Sequence, residues 1–472
     1  MDDDGKERAS SWIGFAMAGF AGLTMFSWVA VQALMEPGKF GLPGRAALTV
    51  AFLPTYVQDA WDQAMSFASG EEATRFLSVP RPARDMSSFR PVTTPDGSPV
   101  SALMVKGNAG ATDRGWRLLG GAMEIDGVPG NAAVLLDPDL VVRNVWTLNE
   151  DAVDVDGKSR ESRRMLHGLQ ILSDGSIIHG FDHGSAMQRR DACNRVSWVA
   201  AGRYHHSIMM SADGKSVWGL RDLGYATDFA AGDAAAPPPT GLVRLNAETG
   251  AVEQEISFEA LVAANQGLGV LELARKDENE VETNETAVIG RWMPDPMHFN
   301  DVEPLSPAMA AAFPAFEAGD LLVSARDINT VMVIDPDTHK IKWHQTGGFM
   351  RQHDPDWEAD GTISIFDNNM SGGVSHIKKI DVASHQISVT YDGAKQGFYT
   401  RIRGKHMSTA RGDLVIVSPQ QGRAFELGAD GKPVLEFINE KPGSEEQNFV
   451  LSEFLWLPET AINPGVFACS NS

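Results

Sequence analysis

Cysteine is scarce in this sequence. The 472 residues include two cysteines, Cys193 and Cys469. Two cysteines cannot cross-link so long a chain into a disulfide framework, and their spacing fits no zinc-binding pattern. A single disulfide that ties the C-terminal tail to the body of the protein is compatible with a location outside the cytoplasm, and two unpaired thiols are the alternative.

Basic residues are also few. The 40 lysines and arginines face 62 aspartates and glutamates, which gives a formal net charge of −22 at pH 7. Nucleic-acid binding needs a basic surface that neutralises phosphates, so this composition predicts no nucleic-acid partner. It also disfavours binding to an anionic membrane surface. An anionic substrate would have to be held by local cations against the overall field.

Motifs for nucleotide binding and serine-hydrolase chemistry are absent. The sequence has no GxxxxGK[ST] loop, no GxGxxG placed after a strand and no GxSxG elbow. Several histidines have aspartates nearby, but an arginine in the same motifs is a poor neighbour for a transition metal. The sequence therefore predicts no cofactor and no metal, and a quinone- or metal-dependent oxidoreductase has no identifiable ligand set.

One long hydrophobic run lies near the N-terminus. Residues 12–35 are 24 consecutive uncharged residues, WIGFAMAGFAGLTMFSWVAVQALM. As a helix this run would extend about 36 Å, enough to cross a bilayer. A cleaved signal peptide is the alternative, but the run is too long and no clear cleavage site follows. We expect a tail at 1–11 and a transmembrane anchor at 12–35, whose orientation the flanking charges do not decide.

The segment 36–111 separates the predicted anchor from the rest of the chain. Its first part, AALTVAFLPTYVQDAWDQAMSFAS, is amphipathic and predicts a helix near the membrane. The apolar face of that helix would pack on the domain or on a membrane-protein partner. The following stretch, VPRPARDMSSFRPVTTPDGSP, is rich in proline and polar residues and predicts a linker. We predict one large domain over 112–472.

Short β-type runs, separated by turn residues such as DG, PD and NAETG, fill this domain. Three repeats start with histidine: HGLQILSDG at His167, HHSIMMSADG with its second histidine at His206, and HDPDWEADG at His353. In each, an Asp-Gly pair follows seven and eight positions after the histidine. KHMSTARGD at His406 and HFNDVEPL at His298 are variants of the same pattern.

A second strand follows each of these turns, and a third and fourth often follow, as in TVMVID–PDTH–KIKWHQ. Units of four short strands repeated about six times are typical of a β-propeller. We therefore predict an all-β, six-bladed β-propeller with an N-terminal transmembrane helix. The first strand of each blade lines the central channel, so the five histidines at the starts of blades would face one axial funnel.

The stretch 291–369 contains the most specific motifs: MHFNDVEPL, LLVSARDINTVMVIDPDTHKIKW and RQHDPDWEADGTISIFDNN. These resemble the core motifs of the bacterial arylsulfotransferases, six-bladed propellers that move a sulfuryl group between phenols without the nucleotide donor phosphoadenosine phosphosulfate. The similarity extends more loosely, through HHSIMMSADG, over most of 112–461. It implies an aryl sulfate donor, a phenolic acceptor and a propeller on the periplasmic side of the membrane.

The resemblance also implies residues that hold the sulfuryl group and move protons. The histidine of the HxN motif is His298, and the arginine after the VS strand is Arg326. Arg326 would bind the sulfuryl oxygens, with His298 beside it. The histidine of the HH pair is His205 or His206, and the repeat register favours His206. Arg221 aligns with Arg326 in the repeat as a further candidate anion ligand, and a salt bridge inside the blade with Asp222 is the favoured alternative.

The covalently sulfurylated histidine of the family falls on His353, with His406 as the alternative. Sulfuryl transfer, like phosphoryl transfer, has a loose transition state, so the protein must supply a positioned nucleophile and preorganised cations. His353 would attack sulfur, and His206 would protonate the leaving phenolate and then deprotonate the incoming phenol. Asp354 and Asn300 would orient neighbouring imidazoles.

A second function from another class is a non-catalytic propeller that serves as a scaffold or binding subunit of a membrane-associated assembly. The relative position of four residues distinguishes the two functions. A catalyst requires His206, His298, Arg326 and His353 in one pocket, whereas a scaffold can have these side chains far apart or blocked by an inserted loop.

Overall fold

The computed structural model describes residues 77–148, 165–182, 185–222, 241–274, 276–277, 291–292, 295–428 and 430–469. All of them belong to one compact unit, Thr74–Ser472. The predicted tail at 1–11, the predicted anchor at 12–35 and the predicted amphipathic helix lie outside the described residues. Within the described part of the chain, no helix is both long enough and apolar enough to cross a membrane.

Antiparallel strands dominate the described residues, and three sheets have four strands each. The first sheet contains β4 (Gly115–Ile125), β5 (Val128–Leu136), β6 (Val142–Thr147) and, at the edge beside β4, β29 (Leu451–Pro458). The second contains β16 (Phe299–Pro304), β17 (Leu321–Ala325), β18 (Thr330–Ile334) and β19 (Ile341–Thr346). The third contains β20 (His353–Trp357), β21 (Thr362–Asp367), β22 (His376–Asp381) and β23 (Ile387–Asp392).

Two larger sheets complete the main body. The seven-stranded sheet runs in chain order through β7 (Leu166–Ile171), β8 (Ile177–Phe181), β9 (Ser185–Arg190), β10 (Val196–Met210), β11 (Ser216–Asp222), β12 (Gly241–Asn246) and β13 (Val252–Ile256). The six-stranded sheet contains β24 (Lys405–Ser408), β25 (Leu414–Ser418), β26 (Arg423–Leu427), β27 (Pro433–Asn439), β3 (Pro99–Gly107) and β2 (Arg90–Thr93), in that spatial order.

The remaining elements are short. Two small sheets pair β1 (Ser78–Pro80) with β28 (Gln447–Phe449) and β14 (Lys276–Asp277) with β15 (Arg291–Trp292). One α-helix, α1 (Phe258–Ala264), follows β13 and is capped by the side chain of Ser257. Short 3₁₀ turns occupy Ala109–Ala111, Gly269–Leu273, Ala310–Ala312, Arg326–Ile328, Gly393–Gln396, Pro419–Gln421 and Pro464–Phe467.

The Asp-Gly pairs of the sequence repeat join the first strand of each unit to the second. Gly175, Gly214 and Gly361 have φ angles of +78°, +67° and +81°, a conformation that glycine adopts without steric cost. Because the turns lie at the same distance from the histidines in all three units, the first strands begin at equivalent positions. This part of the repeat prediction is confirmed.

Strand β10 belongs to two four-stranded units of the seven-stranded sheet. Its first part pairs with β9, where Trp198 lies opposite Arg189, and its second part pairs with β11, where Met209 lies opposite Trp218. The register shifts between Ala200 and Tyr204. The strand is therefore the last strand of one unit and the first strand of the next.

Apolar side chains fill the spaces between the faces of neighbouring sheets. Six main clusters lie between successive units, and one of them joins the six-stranded sheet to the first four-stranded sheet. In a representative cluster, Val331 and Val333 of β18 pack with Ile363 and Ile365 of β21, all fully buried. Each such side chain stabilises the fold by about 1.5–3 kcal/mol relative to exposure.

Antiparallel sheets that pack face to face through these clusters give the protein an all-β, propeller-like fold.

The C-terminal strand of the described chain completes the first four-stranded sheet. The C-terminal strand β29 pairs with β4 from Leu451 opposite Gly121 to Pro458 opposite Gly115. A disulfide between Cys193 and Cys469, with a Cα–Cα distance of 5.6 Å, attaches the C-terminal tail to the β9–β10 turn. Of the two alternatives left open by the sequence, the structure therefore contains the single disulfide.

The linker prediction is wrong for the last part of 36–111. Residues 77–107 contain β1, β2 and β3, and β3 pairs with β27, where Val105 lies opposite Phe437. Val100, Leu103 and Val105 are buried in the core. β2 lies inside the proline-rich stretch and forms the outer edge of the sheet, and β3 begins where that stretch ends.

Candidate functional site

Six strands line the centre of the fold. They are the inner edge strands of the units, β7, β16, β20, β24 and β29, together with the second part of β10. Each contacts the next in the order β7, β10, β16, β20, β24, β29, and β29 contacts β7 again. Side chains from all six strands can therefore meet on one axis.

Five of the six inner strands, all except β24, have an irregular register. Register shifts occur between Leu166 and Leu169 in β7, His205 and Ile208 in β10, Phe299 and Asp301 in β16, His353 and Asp356 in β20, and Leu451 and Glu453 in β29. A β-bulge turns an extra residue out of the ladder and redirects side chains. The regular alternation of side chains is therefore interrupted close to the central histidines in these strands.

Backbone strain accompanies these bulges. His206, His298 and Asp354 have φ angles of +58°, +52° and +50°. Left-handed backbone costs a non-glycine residue about 1–3 kcal/mol, and it concentrates at functional sites. Gly168, which follows His167 in β7 as Asp354 follows His353 in β20, has a φ of +108°, and a Cβ there would lie 2.4 Å from the carbonyl oxygen of His206.

Four histidines lie next to one another: His167 in β7, His205 and His206 in the second part of β10, and His298 just before β16. The ring of His206 lies 5.0 Å, centroid to centroid, from the ring of His167 and 5.0 Å from that of His298. Its Nδ1 is 2.5 Å from Nδ1 of His205. Burial, followed by the charges of His205, His167, His298 and His353, holds the pKa of His206 well below its usual range. His206 is therefore neutral at pH 7.

His353 is held in one orientation and one tautomer. Its Nδ1 lies 2.6 Å from Oδ1 of Asn368. The amide group of Asn368 donates to the carbonyl oxygens of Thr400 (2.9 Å) and Arg403 (2.6 Å), which fixes Oδ1 toward the histidine. Nδ1 therefore carries the proton, and the lone pair is on Nε2, which accepts the backbone N–H of Arg403 at 3.2 Å.

Arg326 lies close to His353. Burial first, and then the charge of Arg326, lowers the pKa of His353 well below its usual range, so the imidazole is neutral. The guanidinium of Arg326 donates to Oδ1 of Asp327 from Nε at 3.3 Å and from Nη2 at 3.2 Å. The backbone N–H of Arg326 donates to the carbonyl oxygen of His298 at 3.1 Å. The structure thus brings together His206, His298, Arg326 and His353, with His205 adjacent.

Asn300 and Asp354 have different contacts from those expected. Asn300 donates to the carbonyl oxygen of Gln352 at 2.9 Å and so supports the backbone before His353 rather than an imidazole. Asp354 lies 3.2 Å from Nδ1 of His406, so it orients His406 and not His353. The left-handed backbone of Asp354 turns its carboxylate away from the preceding ring.

His406 and Arg221 are also held in other surroundings. The ring of His406 lies between Asp354 and Ser364, whose Oγ is 2.8 Å from Nε2, and the side chain is fully buried. Arg221 forms an ion pair with Glu255 of β13 and contacts the ring of Tyr204. A salt bridge inside the blade is therefore observed for Arg221, with Glu255 as the partner; the side chain of Asp222, the partner expected from the sequence, lies outside the described residues.

Several residues of this site were missed by the sequence analysis as site residues. Asn368 orients His353, and it is the first asparagine of the FDNN motif, so the motif contained the signal. His167 was recognised as the start of a repeat but given no role, although its Nδ1 lies 3.3 Å from Oε1 of Glu453. His298 pairs with Asp295 at 2.5 Å. No repeat register connects Glu453 or Asp295 to a histidine, because their partners come from another blade or a loop.

A second layer of ionisable groups lies further along the inner strands. Burial raises the pKa of Asp301 to about 7 despite the nearby Lys405. Burial and the charge of Asp354 raise the pKa of Asp356 well above its usual range. Burial alone would raise the pKa of Asp354, but Lys405 and His406 lower it to about 2. Lys405, whose Nζ lies 3.2 Å from Asp354, is the cation of this layer.

One group among the described residues could hold a metal ion. Asp354, Asp356 and His406 offer ligand atoms that all lie within 4.8 Å of one another. Lys405 already neutralises Asp354, and Ser364 already occupies Nε2 of His406. The group is therefore a salt-bridge network as it stands, and the proposed chemistry does not use it.

Comparison with known proteins identifies the family. The family model described as Arylsulfotransferase (ASST) matches residues 162–440, which is more than half of the 472-residue chain. No curated protein matches the sequence. A protein of unknown function from Bacteroides caccae has 13% identity and a TM-score of 0.44 over 72% of this chain and 98% of that chain. Virginiamycin B lyase from Staphylococcus aureus has 12% identity and a TM-score of 0.32 over 59% and 71%. Together, the family match and the motifs at the inner strands establish that the chain belongs to the arylsulfotransferase family.

Proposed function

We propose that this protein transfers a sulfuryl group from an aryl sulfate to a phenolic acceptor through a sulfohistidine at His353, without a nucleotide donor. The observation that carries the proposal is the tautomer of His353. Asn368 holds the proton on Nδ1, so the neutral ring keeps its lone pair on Nε2, and the positive charge of Arg326 acts on this ring. A nucleophile next to a fixed cation is what attack on an anionic sulfuryl group requires.

The first half-reaction forms an N–S bond and breaks an S–O bond. Nε2 of His353 attacks sulfur in line with the aryl oxygen, and the electron pair of the S–O bond leaves with the phenolate. Arg326 and His298 hold the sulfuryl oxygens, where charge accumulates in the loose transition state. The hydrogen bond from the Arg403 N–H to Nε2 is long enough at 3.2 Å to be given up as the lone pair turns to sulfur.

His206 moves the proton in both half-reactions. Burial and the neighbouring histidines lower its pKa and keep it neutral before substrate binds. A bound aryl sulfate offsets the repulsion among these histidines, so His206 takes up a proton and can protonate the leaving phenolate. In the second half-reaction His206 removes the proton of the incoming phenol. The phenolate oxygen then attacks sulfur, and the electron pair of the N–S bond returns to Nε2 of His353.

The arrangement of these residues supports a catalyst over a non-catalytic scaffold. A scaffold does not require a histidine with a fixed tautomer, an adjacent arginine and left-handed backbone at three central positions. The inserted segment between β16 and β17 also leaves the centre of the fold. Its Phe313 packs on Trp357 at a centroid distance of 4.7 Å.

We also infer that the propeller has six blades. Counting each part of β10 with its neighbours divides the seven-stranded sheet into two blades, which join the three four-stranded sheets and the six-stranded sheet. The six apolar clusters, one between each pair of neighbours, support this count. We propose further that 12–35 anchors the chain and that the propeller lies on the periplasmic side, where a disulfide such as Cys193–Cys469 forms readily.

The test is detection of the covalent intermediate. The protein is incubated with a chromogenic phenyl sulfate and no acceptor, digested at mildly alkaline pH, and the peptide containing His353 is examined for an added sulfuryl mass. We expect that mass, a burst of phenol and ping-pong kinetics when a phenol acceptor is added. His353→Ala should abolish all three, whereas His385→Ala, at an exposed histidine, should leave them unchanged.

Three outcomes would contradict the mechanism. The added mass on the His406 peptide would place the nucleophile there. Turnover with intersecting double-reciprocal lines and no adduct would mean direct transfer between two bound phenols. No turnover with any aryl sulfate, from a folded protein, would remove the enzymatic proposal and favour the scaffold.

A further inference from the structure

A cation-lined cavity lies away from the central histidines. Its volume is about 440 Å³, and its wall includes Arg84, Lys106, Lys395 and Arg423 against a single carboxylate, Glu436. The concentration of positive charge is unusual for a protein with a formal net charge of −22. We call this cavity the Arg423 pocket.

The Arg423 pocket is separate from the funnel, the central site around His206, His298 and His353. Lys106 belongs to β3 and Glu436 to β27, which are outer strands of the six-stranded sheet, whereas β24 is its inner strand. Lys395 comes from the 3₁₀ turn Gly393–Gln396, which follows the neighbouring sheet. The pocket is therefore built from three separate chain segments on the periphery of the fold, with Arg84 added by the N-terminal segment.

One carboxylate is shared by two guanidinium groups. Arg84 pairs with Oε1 of Glu436, and Nε of Arg423 lies 2.5 Å from the same oxygen. Arg423 is 2% exposed, and its Nη1 donates to the carbonyl oxygen of Gln396 at 3.0 Å. Burial, opposed by Glu436 and reinforced by the charge of Arg84, lowers the pKa of Arg423. The pair of arginines therefore has one positive charge in excess of its partner.

The two lysines add to this excess. Lys106 and Lys395 are exposed side chains of the same wall. Lys106 also acts on Asp85, an exposed carboxylate whose pKa is lowered mainly by hydrogen bonds from Ser87. An anion in the cavity would gain from both ammonium groups and would offset the repulsion between the arginines.

We propose that the Arg423 pocket binds a small organic ester of phosphate or sulfate through its tetrahedral anionic group. Planar guanidinium groups match oxyanions of this geometry, and the lysines supply mobile point charges. The cavity falls within the size range of small-molecule sites, so it has room for an organic group beyond the anion itself. The proposal is independent of the sulfuryl transfer proposed for the funnel.

The experiment is isothermal titration calorimetry of the folded protein with three probes: inorganic phosphate, inorganic sulfate and phenyl phosphate. We expect phenyl phosphate to bind more tightly than either inorganic ion. Lys106→Glu and Lys395→Glu should each weaken this binding at least tenfold, which corresponds to about 1.4 kcal/mol. Lys215→Glu, an equal charge change at an exposed lysine in the β10–β11 turn, should change it less than twofold.

The funnel is a competing site for the same probes, and Arg326→Ala distinguishes the two. Binding in the Arg423 pocket persists in Arg326→Ala, whereas loss of all binding in that variant places the anion in the funnel and overturns the proposal. If Lys215→Glu weakens phenyl phosphate binding equally, the loss of binding is an effect of overall charge, and the proposal is also overturned. Inorganic ions that bind as tightly as phenyl phosphate would make the ligand a free ion and exclude the ester.

Discussion

Asn368→Ala is the substitution that most directly tests the lone pair on His353. The change removes the acceptor 2.6 Å from Nδ1 of His353 and two donors, to the carbonyl oxygens of Thr400 and Arg403. One buried hydrogen bond is worth about 0.5–1.5 kcal/mol, and a buried group left unpaired costs about 1–3 kcal/mol. We therefore expect the free energy of unfolding to fall by about 2–4 kcal/mol.

The effect on the first half-reaction follows from the same contacts. Without Asn368 the proton can occupy Nε2, and the ring can also rotate, so the reactive arrangement becomes a minority. A loss of about 1.4–2.8 kcal/mol in the barrier corresponds to a burst about 10- to 100-fold slower. The assay is rapid mixing with a chromogenic aryl sulfate in the absence of acceptor, at a temperature at which the variant is folded.

A matched control separates tautomer from stability. Asn144 donates to the carbonyl oxygen of Ala192 at 2.7 Å in the β6 region, so Asn144→Ala removes a comparable structural hydrogen bond. It should lower the melting temperature without slowing the burst. Nitrogen chemical shifts of the His353 ring report the tautomer directly. A burst in Asn368→Ala within twofold of wild type, with His353→Ala inactive, would refute the role of the Asn368 contact.

Three further predictions concern charge, pH and the disulfide. Arg326→Lys keeps the charge but loses the planar fork, so aryl sulfate turnover should fall at least about 100-fold with little change in melting temperature; a large loss of stability would instead identify a structural residue. Burial raises the pKa of Asp301 from 3.8 to about 7, so the native carboxyl keeps a proton that the unfolded chain has lost, and stability falls as pH rises through this window. Asp301→Asn should therefore gain melting temperature relative to wild type from pH 5 to pH 8, and a constant difference across that range would contradict the shift. Cys193→Ser should lower the free energy of unfolding by about 2–5 kcal/mol in denaturant titrations, and equal midpoints with and without reductant in wild type would exclude a stabilising bridge to Cys469.

The repeat and the central histidines could be predicted from sequence because local chemistry determines both. An Asp-Gly turn needs glycine at a positive φ, and its constant distance from His167, His206 and His353 sets the strand register. The same register places these histidines on inner strands. His206 and His353 therefore lie near each other, and the structure places His298 and Arg326 beside them.

Long-range partners could not be predicted in the same way. Nothing local to β3 indicates that it pairs with β27, more than 300 residues later in the chain. Asp354 follows His353 directly, yet its left-handed backbone directs the carboxylate to His406, and no rule of spacing reveals such a φ in a non-glycine residue. Glu453 reaches His167 because β29, which completes the sheet of β4, also lies beside β7.

The closure of the fold by β29 has a consequence for the order of events during synthesis. Until residues 451–458 emerge, the inner edge of β4 has no partner, and β7 lacks its neighbour at the axis. Glu453, which accepts the backbone N–H of Gly168 at 2.9 Å beside His167, arrives with this strand. All the histidines of the funnel are therefore synthesised before the funnel can form. The central site is assembled only after residues 451–458 have been synthesised, and the Cys193–Cys469 bridge then secures the segment that follows them.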